Sequence, residues 1–291
     1  MKKTTNKLLT LTAIITFTAV LAACGPLSPG EPSTGPDDVN SSQHGIKLPP
    51  KSSFLINFEL LAQARRDALS NGGDTSQATQ QQSTSGRKTF KHVINAALRS
   101  GAAGLVLGAG VTPYANIYGT LIASGFTWDG KALVASATCR DLKGGTHPCS
   151  GRVTPHFLQG TVDIAIRRDG ALVTSGTAQL DGSSGSWTLN DLSSGAASLK
   201  IDWSASSSAG VDVAGEIIDP AHQHFGSTAS IAFDADGVAT LSYDVKPVGS
   251  GQATIVFNTK TLEGSILAPS YNGGQMGCWS AKLYDTTCPQ Q

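Results

Sequence analysis

The segment DPAHQHF contains the residue types that most readily bind a metal ion. Asp219, His222 and His224 lie within six residues of one another, and imidazole nitrogens and carboxylate oxygens are common zinc ligands. In a β-strand the two histidines would point to the same face, as two ligands of one metal must. However, no third histidine or cysteine can be assigned to the site, and Gly226 favours a loop. We therefore expect polar surface residues here and no metal site.

The N-terminal segment carries the signs of export. Lys2, Lys3 and Lys7 precede an apolar stretch over residues 8–23, which is the layout of a secretory signal peptide. That stretch is too short and too rich in threonine for a membrane-spanning helix, which needs roughly 20 apolar residues. We interpret residues 1–23 as a signal peptide that is absent from the mature protein.

The tetrapeptide LAAC, which ends at Cys24, resembles the lipobox of bacterial lipoproteins. The resemblance implies a diacylglycerol on the sulfur of Cys24, and buried acyl chains contribute about 0.8 kcal/mol per CH₂ to membrane binding. The membrane is therefore a predicted partner and the bacterial cell envelope the predicted location. Gly25, rather than aspartate, follows the cysteine and implies sorting to the outer membrane. The alternative is an ordinary signal peptide with a chance cysteine.

A polar, proline-rich segment follows the lipobox. Residues 24–52 comprise Cys24 and a 28-residue tether that has too few apolar side chains to fold; a flexible coil of this length reaches roughly 30 Å. The whole chain has 21 basic and 21 acidic residues, and removal of the three signal-peptide lysines leaves 18 against 21. This near-neutral charge gives no electrostatic basis for nucleic-acid binding.

Four further cysteines match an oxidising compartment. They form two pairs of equal spacing, Cys139 with Cys149 and Cys278 with Cys288, although four cysteines allow three connectivities. Local pairing is the simplest, since each segment can turn back on itself, and each short loop closed in this way contributes somewhat under about 3 kcal/mol. A zinc site is the alternative, but neither pair has the CxxC spacing typical of one.

Residues 53–124 show helical periodicity. A first helix is followed by a polar, low-complexity loop at 71–86, and a second helix reads TFKHVINAALRSGAAGLVLGAG. Thr112 and Pro113 then predict the N-cap and first residue of a third helix. We interpret the glycines of GAAGLVLGAG as close-packing positions, because they lack the preceding strand of a dinucleotide fingerprint.

Over residues 125–291 the apolar period changes to two. Segments such as GTVDIAI, SLKIDWS and VATLSYDV are separated by turn sequences such as RRDG and DADG. Connections this short predict an antiparallel meander of about eleven strands. The predicted fold is α+β and mainly β, with N-terminal helices packed on a large curved meander that is half-barrel or barrel-like.

The same region resembles a group of uncharacterised bacterial lipoproteins. The resemblance covers residues 85–291 and depends on the tryptophans and cysteines of SGSWTLND, LKIDWS and GCWSAKLYDTTCP, namely Trp187, Trp203, Cys278, Trp279 and Cys288. It implies a helical segment, an antiparallel meander and a terminal Cys-Trp…Cys signature. It implies no activity.

Three functional hypotheses follow from these observations. The first is a non-catalytic binding or structural role, in which an apolar cavity between helices and sheet holds a hydrophobic molecule or lipid, by analogy with half-barrel carriers. The second is a surface interaction or adhesion module with an envelope protein as a candidate partner, which a filled interior together with an exposed aromatic patch would favour. The third is a metal-dependent hydrolase at His222 and His224. We expect no enzymatic activity and no cofactor.

Overall fold

The computed structural model describes seven stretches of the chain: residues 44–54, 61–70, 89–108, 110–141, 143–206, 210–246 and 251–289. The predicted signal peptide, Cys24, the first part of the tether and the polar loop at 71–86 lie outside the described residues. Residues 35–291 cluster into one unit, in which the helical segment and the β region contribute to one hydrophobic core.

The β region is one antiparallel sheet of fourteen strands, each paired with its neighbours in sequence. The strands are β1 Thr127–Trp128, β2 Leu133–Arg140, β3 Thr146–His156, β4 Thr161–Arg168, β5 Ala171–Gln179, β6 Ser184–Asn190, β7 Ala197–Ser206, β8 Gly210–Ile217, β9 Thr228–Phe233, β10 Val238–Asp244, β11 Gln252–Asn258, β12 Gly264–Leu267, β13 Gly277–Trp279 and β14 Asp285–Thr286. This confirms the mainly β class and the antiparallel meander. The count exceeds the predicted eleven because the short strands at both ends carry no readable period. The sheet is open, since β1 and β14 do not pair with each other.

Alternating burial explains why these segments form strands. In β10, Ala239, Leu241 and Tyr243 are buried and the residues between them are partly exposed, so one face of the sheet packs inward and the other contacts solvent. The first buried residue of the described chain is Ile46, which lies within the predicted tether and has no exposed surface.

Three of the four tryptophans lie directly opposite a glycine on the adjacent strand. The pairs are Gly176 with Trp187, Gly185 with Trp203 and Gly264 with Trp279. A Cβ atom at Gly176 would lie 2.5 Å from the Trp187 ring, which is closer than van der Waals contact allows. Each indole therefore occupies space that a side chain on the opposite residue would need, and burial of these rings stabilises the sheet interior.

Three α-helices precede the sheet in the described chain: α1 Ala62–Ser70, α2 Lys91–Ala103 and α3 Thr112–Ser124. A π-helical turn, Gly104–Gly108, extends α2. The predicted start of α3 is wrong by one residue, because Val111 is the N-cap and Thr112 is already helical. The Thr112 hydroxyl donates instead to the carbonyl of Gly108 at 3.5 Å.

The helices lie against different parts of the sheet. Helix α3 contacts β2 and β3, helix α2 contacts β12, β13 and β14, and the 3₁₀ turn Lys51–Phe54 contacts β7 and β8. Among the described residues no single helix is long and apolar enough to cross a membrane, and only the bent pair Lys91–Gly108 and Thr112–Ser124 passes that test together.

Candidate functional site

The predicted metal-site candidates lie in the loop between β8 and β9. The Asp219 carboxylate accepts a loop N–H, and the rings of His222 and His224 are 5.7 Å apart. Nδ1 of His222 accepts the N–H of His224 at 3.1 Å, whereas Nδ1 of His224 donates to the Lys246 carbonyl at 2.6 Å. Neutral His222 therefore carries its proton on Nε2, and only His224 offers a free ring lone pair. No three such side chains form a metal site among the described residues.

The C-terminal cysteines form the predicted disulfide. Cys278 and Cys288 are bonded with their Cα atoms 5.2 Å apart. The bridge closes a loop that contains β14 and its residue Asp285. Local pairing is therefore confirmed for this pair, which also belongs to the Cys-Trp…Cys signature.

The disulfide predicted between Cys139 and Cys149 is not formed in this structure, where both thiols are free and buried. The register of β2 and β3 places Cys139 opposite His147 and Cys149 opposite Ala137. The two cysteines are thus diagonal neighbours, whose Cα atoms typically lie about 7–8 Å apart, beyond the usual range for a disulfide. Burial and the contact with Cys139 raise the pKa of Cys149 to about 12.

A polar cluster joins the C-terminal loop to the start of α2. The Asp285 carboxylate accepts hydrogen bonds from the Thr89 hydroxyl at 2.6 Å, the Lys91 N–H at 3.1 Å and the His92 N–H at 2.9 Å. The Tyr271 hydroxyl lies 2.7 Å from Nδ1 of His92. Burial lowers the pKa of His92, and the charge of Asp285 only partly opposes this effect. The cluster supplies the N-terminal cap that α2 lacks locally.

A second cluster of charges joins two turns of the sheet. Nδ1 of His147 lies 2.8 Å from Asp169 and Nε2 lies 3.3 Å from Asp141. The N–H of Gly145, and then His147, hold the pKa of Asp141 below its ordinary value. Because the imidazole engages both carboxylates and turn N–H groups engage Asp141, this cluster has a structural role.

The candidate binding site is a groove of about 390 Å³ on the outer face of β7–β11. Sequence reasoning did not find it. Its lining residues are Lys200, Asp202, Ala214, Gly215, Glu216, Thr228, Ala229, Ser230, Ser242, Tyr243, Asp244, Gln252, Ala253 and Thr254.

Four of the lining residues, Gly215, Ala229, Tyr243 and Ala253, are buried, and the strand register arranges the outward side chains of the others in two rows that cross five strands. One row contains mostly small residues, with Ala214 opposite Ser230 and Ser230 opposite Ser242. The parallel row contains longer and charged residues, with Lys200 opposite Glu216 and Asp244 opposite Gln252. The small row forms the floor and the long row forms a wall, because side chains on one face stand side by side at about 5 Å.

The groove carries one cation and three carboxylates. Nζ of Lys200 donates to Asp202 at 2.9 Å, and Asp202, followed by Glu216, raises the pKa of Lys200. Asp244 is bonded to Lys246, which lies just outside the lining, at 2.6 Å. Two of the three carboxylates thus have lysine partners within the described residues, and the site as a whole is mildly acidic and rich in hydroxyl groups.

The opposite face of the sheet is filled by aromatic side chains where it meets the helices. Phe54 stacks on Trp187 with ring centroids 4.4 Å apart, and Tyr118 contacts the same indole at 5.5 Å. The indole N–H of Trp187 donates to the Ser53 hydroxyl at 2.9 Å. Trp187 has no exposed surface.

No family model, no curated protein and no solved structure matches this chain. The resemblance to bacterial lipoproteins with a Cys-Trp…Cys signature remains an expectation from the sequence. Any function must therefore be inferred from the geometry and charge of the groove.

Proposed function

We propose that this chain is a lipid-anchored protein of the bacterial cell envelope, held at the outer membrane through Cys24, and that its folded unit acts by binding rather than by catalysis. The anchor is supported by the sequence: a cationic and apolar leader, two alanines before Cys24, and Gly25 after it. Of the hypotheses above, this is the surface interaction module.

The position of the groove carries the proposal. It lies on the outer, polar face of β7–β11, whereas the inner face is packed against Phe54 and Tyr118 through Trp187. A hydrophobic-ligand carrier needs an apolar cavity on the inner face, so these contacts favour the surface module over the carrier.

The lining chemistry favours a ligand that is rich in hydroxyl groups, and we assign the groove to a saccharide chain of the envelope. Carboxylates such as that of Glu216 can accept hydrogen bonds from the hydroxyl groups of a sugar. The hydroxyls of Ser230, Ser242 and Thr254 can both donate and accept. Lys200 donates only. The apolar part of the lining consists mainly of alanine and glycine, which suits close approach of a polar chain.

We further infer that the sheet curves around the helices as a half-barrel. The supporting contacts are those of α3 with β2 and β3, of α2 with β12–β14, and of the turn Lys51–Phe54 with β7 and β8. Helical residues therefore meet strands near both ends of the sheet and in its middle. A sheet covered in this way leaves its outer face as the surface that remains for a partner.

The test uses the mature chain with Cys24→Ser and measures binding to soluble envelope saccharides, including peptidoglycan fragments and lipopolysaccharide-derived chains. Ala214→Trp fills the floor of the groove and is expected to reduce binding at least about tenfold, a loss of about 1.4 kcal/mol. The matched control is Ala165→Trp, which lies on β4 outside the lining and should bind like the parent.

Equal thermal stability of the two tryptophan variants would show that any difference in binding is local. If Ala214→Trp binds as tightly as Ala165→Trp, the groove is not the binding site. If none of the saccharides binds, the saccharide assignment fails.

A further inference from the structure

The turn between β3 and β4 presents two large apolar side chains to solvent. Phe157 is 58% exposed and Leu158 is 101% exposed. Elsewhere in the described chain, large exposed hydrophobic residues occur singly, at Leu98, Phe225 and Leu267. Consecutive exposed apolar residues are unfavourable in water unless something covers them.

This turn is well ordered by its own hydrogen bonds. The Gln159 N–H donates to the His156 carbonyl at 2.9 Å, and the His156 ring bonds to Asp163 across the hairpin at 2.7 Å. Gly160 takes the left-handed conformation, with φ of +69°, that closes the turn. The exposure of Phe157 is therefore fixed by the hairpin geometry.

The N-terminal part of the described chain reaches the sheet beside this turn. The Lys47 N–H donates to the Leu180 carbonyl at 2.8 Å, and the Leu180 N–H donates to the Gly160 carbonyl at 2.9 Å. Cys24 precedes His44 by 20 residues, and a fully extended segment of that length spans at most about 70 Å. Any bilayer bound through Cys24 thus lies within that distance of this end of the sheet.

We propose that Phe157 and Leu158 insert into the bilayer that carries the Cys24 anchor, as a second and reversible membrane contact. This inference rests on the lipid anchoring proposed above. The anchor keeps the local lipid concentration high, so that even a small apolar contact is occupied. The contact orients the unit, with the turns after β3 and β5 near the lipid and the loop between β6 and β7 at the opposite end.

The test supplies the anchor independently of lipidation. The mature Cys24→Ser chain, with an N-terminal hexahistidine tag, is bound to phosphatidylcholine vesicles that contain a nickel-chelating lipid. A polarity-sensitive fluorophore is attached at Leu158→Cys, or at Ala196→Cys at the opposite end as the control. Cys139 and Cys149 are 2% and 3% exposed, so they stay unlabelled.

We expect vesicle binding to blue-shift the fluorophore at position 158, and spin-labelled lipids to quench it, while the fluorophore at position 196 remains unchanged. Adding Phe157→Ser to the Leu158→Cys variant should reduce the quenching.

Absence of quenching at position 158, or equal quenching at both positions, would overturn the proposal. Self-quenching between labelled copies without lipid quenching would show that a second copy covers the turn instead. Lipidation is tested separately by the mass of Cys24 in the full chain. Failure of the lipid anchor and failure of the membrane contact at Phe157 and Leu158 can therefore be distinguished.

Discussion

Replacement of Asp285 by alanine should destabilise the protein although the residue lies in a two-residue strand near the C-terminus. Its carboxylate replaces the missing N-cap of α2, because Phe90 occupies that position and provides no side-chain hydrogen bond. The substitution removes the acceptor of the Lys91 and His92 N–H groups and of the Thr89 hydroxyl.

The magnitude follows from these three bonds. Loss of an N-cap side chain costs about 1 kcal/mol, loss of a negative charge at a helix N-terminus costs about 0.5 kcal/mol, and loss of the Thr89 bond costs about 1 kcal/mol. We expect a decrease in the free energy of unfolding of about 2–3 kcal/mol. For a unit of this size, that decrease lowers Tm by roughly 5–10 °C. Asp285→Asn keeps an acceptor and should lose about 1 kcal/mol.

The assay is urea unfolding followed by tryptophan fluorescence and far-ultraviolet circular dichroism. The curves of all variants are fitted with one shared m-value. Asp202→Ala is the control, since Asp202 is an exposed strand residue in a surface ion pair and should cost under about 1 kcal/mol. If Asp285→Ala is no more destabilising than Asp202→Ala, the capping role is wrong. In a Cys278→Ala, Cys288→Ala background the effect of Asp285→Ala should shrink, because the loop that holds Asp285 is no longer closed.

Three further predictions concern pH, packing and thiols. Burial lowers the pKa of His92 in the folded chain. Below the ordinary value of 6.5, His92 therefore binds a proton more readily in the unfolded chain than in the folded chain, so the free energy of unfolding falls as the pH drops through that range. Urea unfolding at several pH values should show a flatter pH dependence for His92→Asn than for the parent. Gly176→Ala should cost about 1–3 kcal/mol by overpacking against the opposing indole, whereas Gly101→Ala, which meets nothing within 4 Å, should be neutral or stabilising by up to about 1 kcal/mol; equal Tm values would contradict this. The Cys24→Ser chain should resist alkylation when native and take up two alkyl groups when unfolded without reductant, at Cys139 and Cys149; mass spectrometry that finds none would show that they are bridged.

The strands could be predicted because apolar alternation and turn sequences are local signals. The sequence DADG, for example, forms the turn in which the Asp234 carboxylate accepts the N–H groups of Asp236 and Val238. The short terminal strands β13 and β14 could not be predicted, since two or three residues define no period. Their positions depend on pairing partners that are distant in sequence.

Register was the main information that the sequence lacked. The spacing of Cys139 and Cys149 equals that of Cys278 and Cys288, and it therefore predicted a disulfide in both pairs. The register of β2 and β3, however, makes Cys139 and Cys149 diagonal neighbours. The glycines opposite the tryptophans could not be predicted, because cross-strand neighbours such as Gly264 and Trp279 become visible only when the pairing is known.

The groove also escaped prediction for this reason. Glu216 is visible in the sequence as a strand carboxylate, but its neighbours Lys200 and Thr228 come from other strands. Alternation shows which residues of one strand face outward. It does not show which outward residues of five strands form a depression.

The cap on α2 has a consequence for the order in which the chain folds. Asp285 lies between 193 and 196 residues after the groups that it binds, so the start of this helix cannot be completed until almost the whole polypeptide is available. Because a chain is synthesised from its N-terminus, the helix is made first and its cap last. Contacts of such long sequence separation form slowly. The C-terminal loop therefore completes the start of α2 only late in folding, when the far end of the chain has docked beside it.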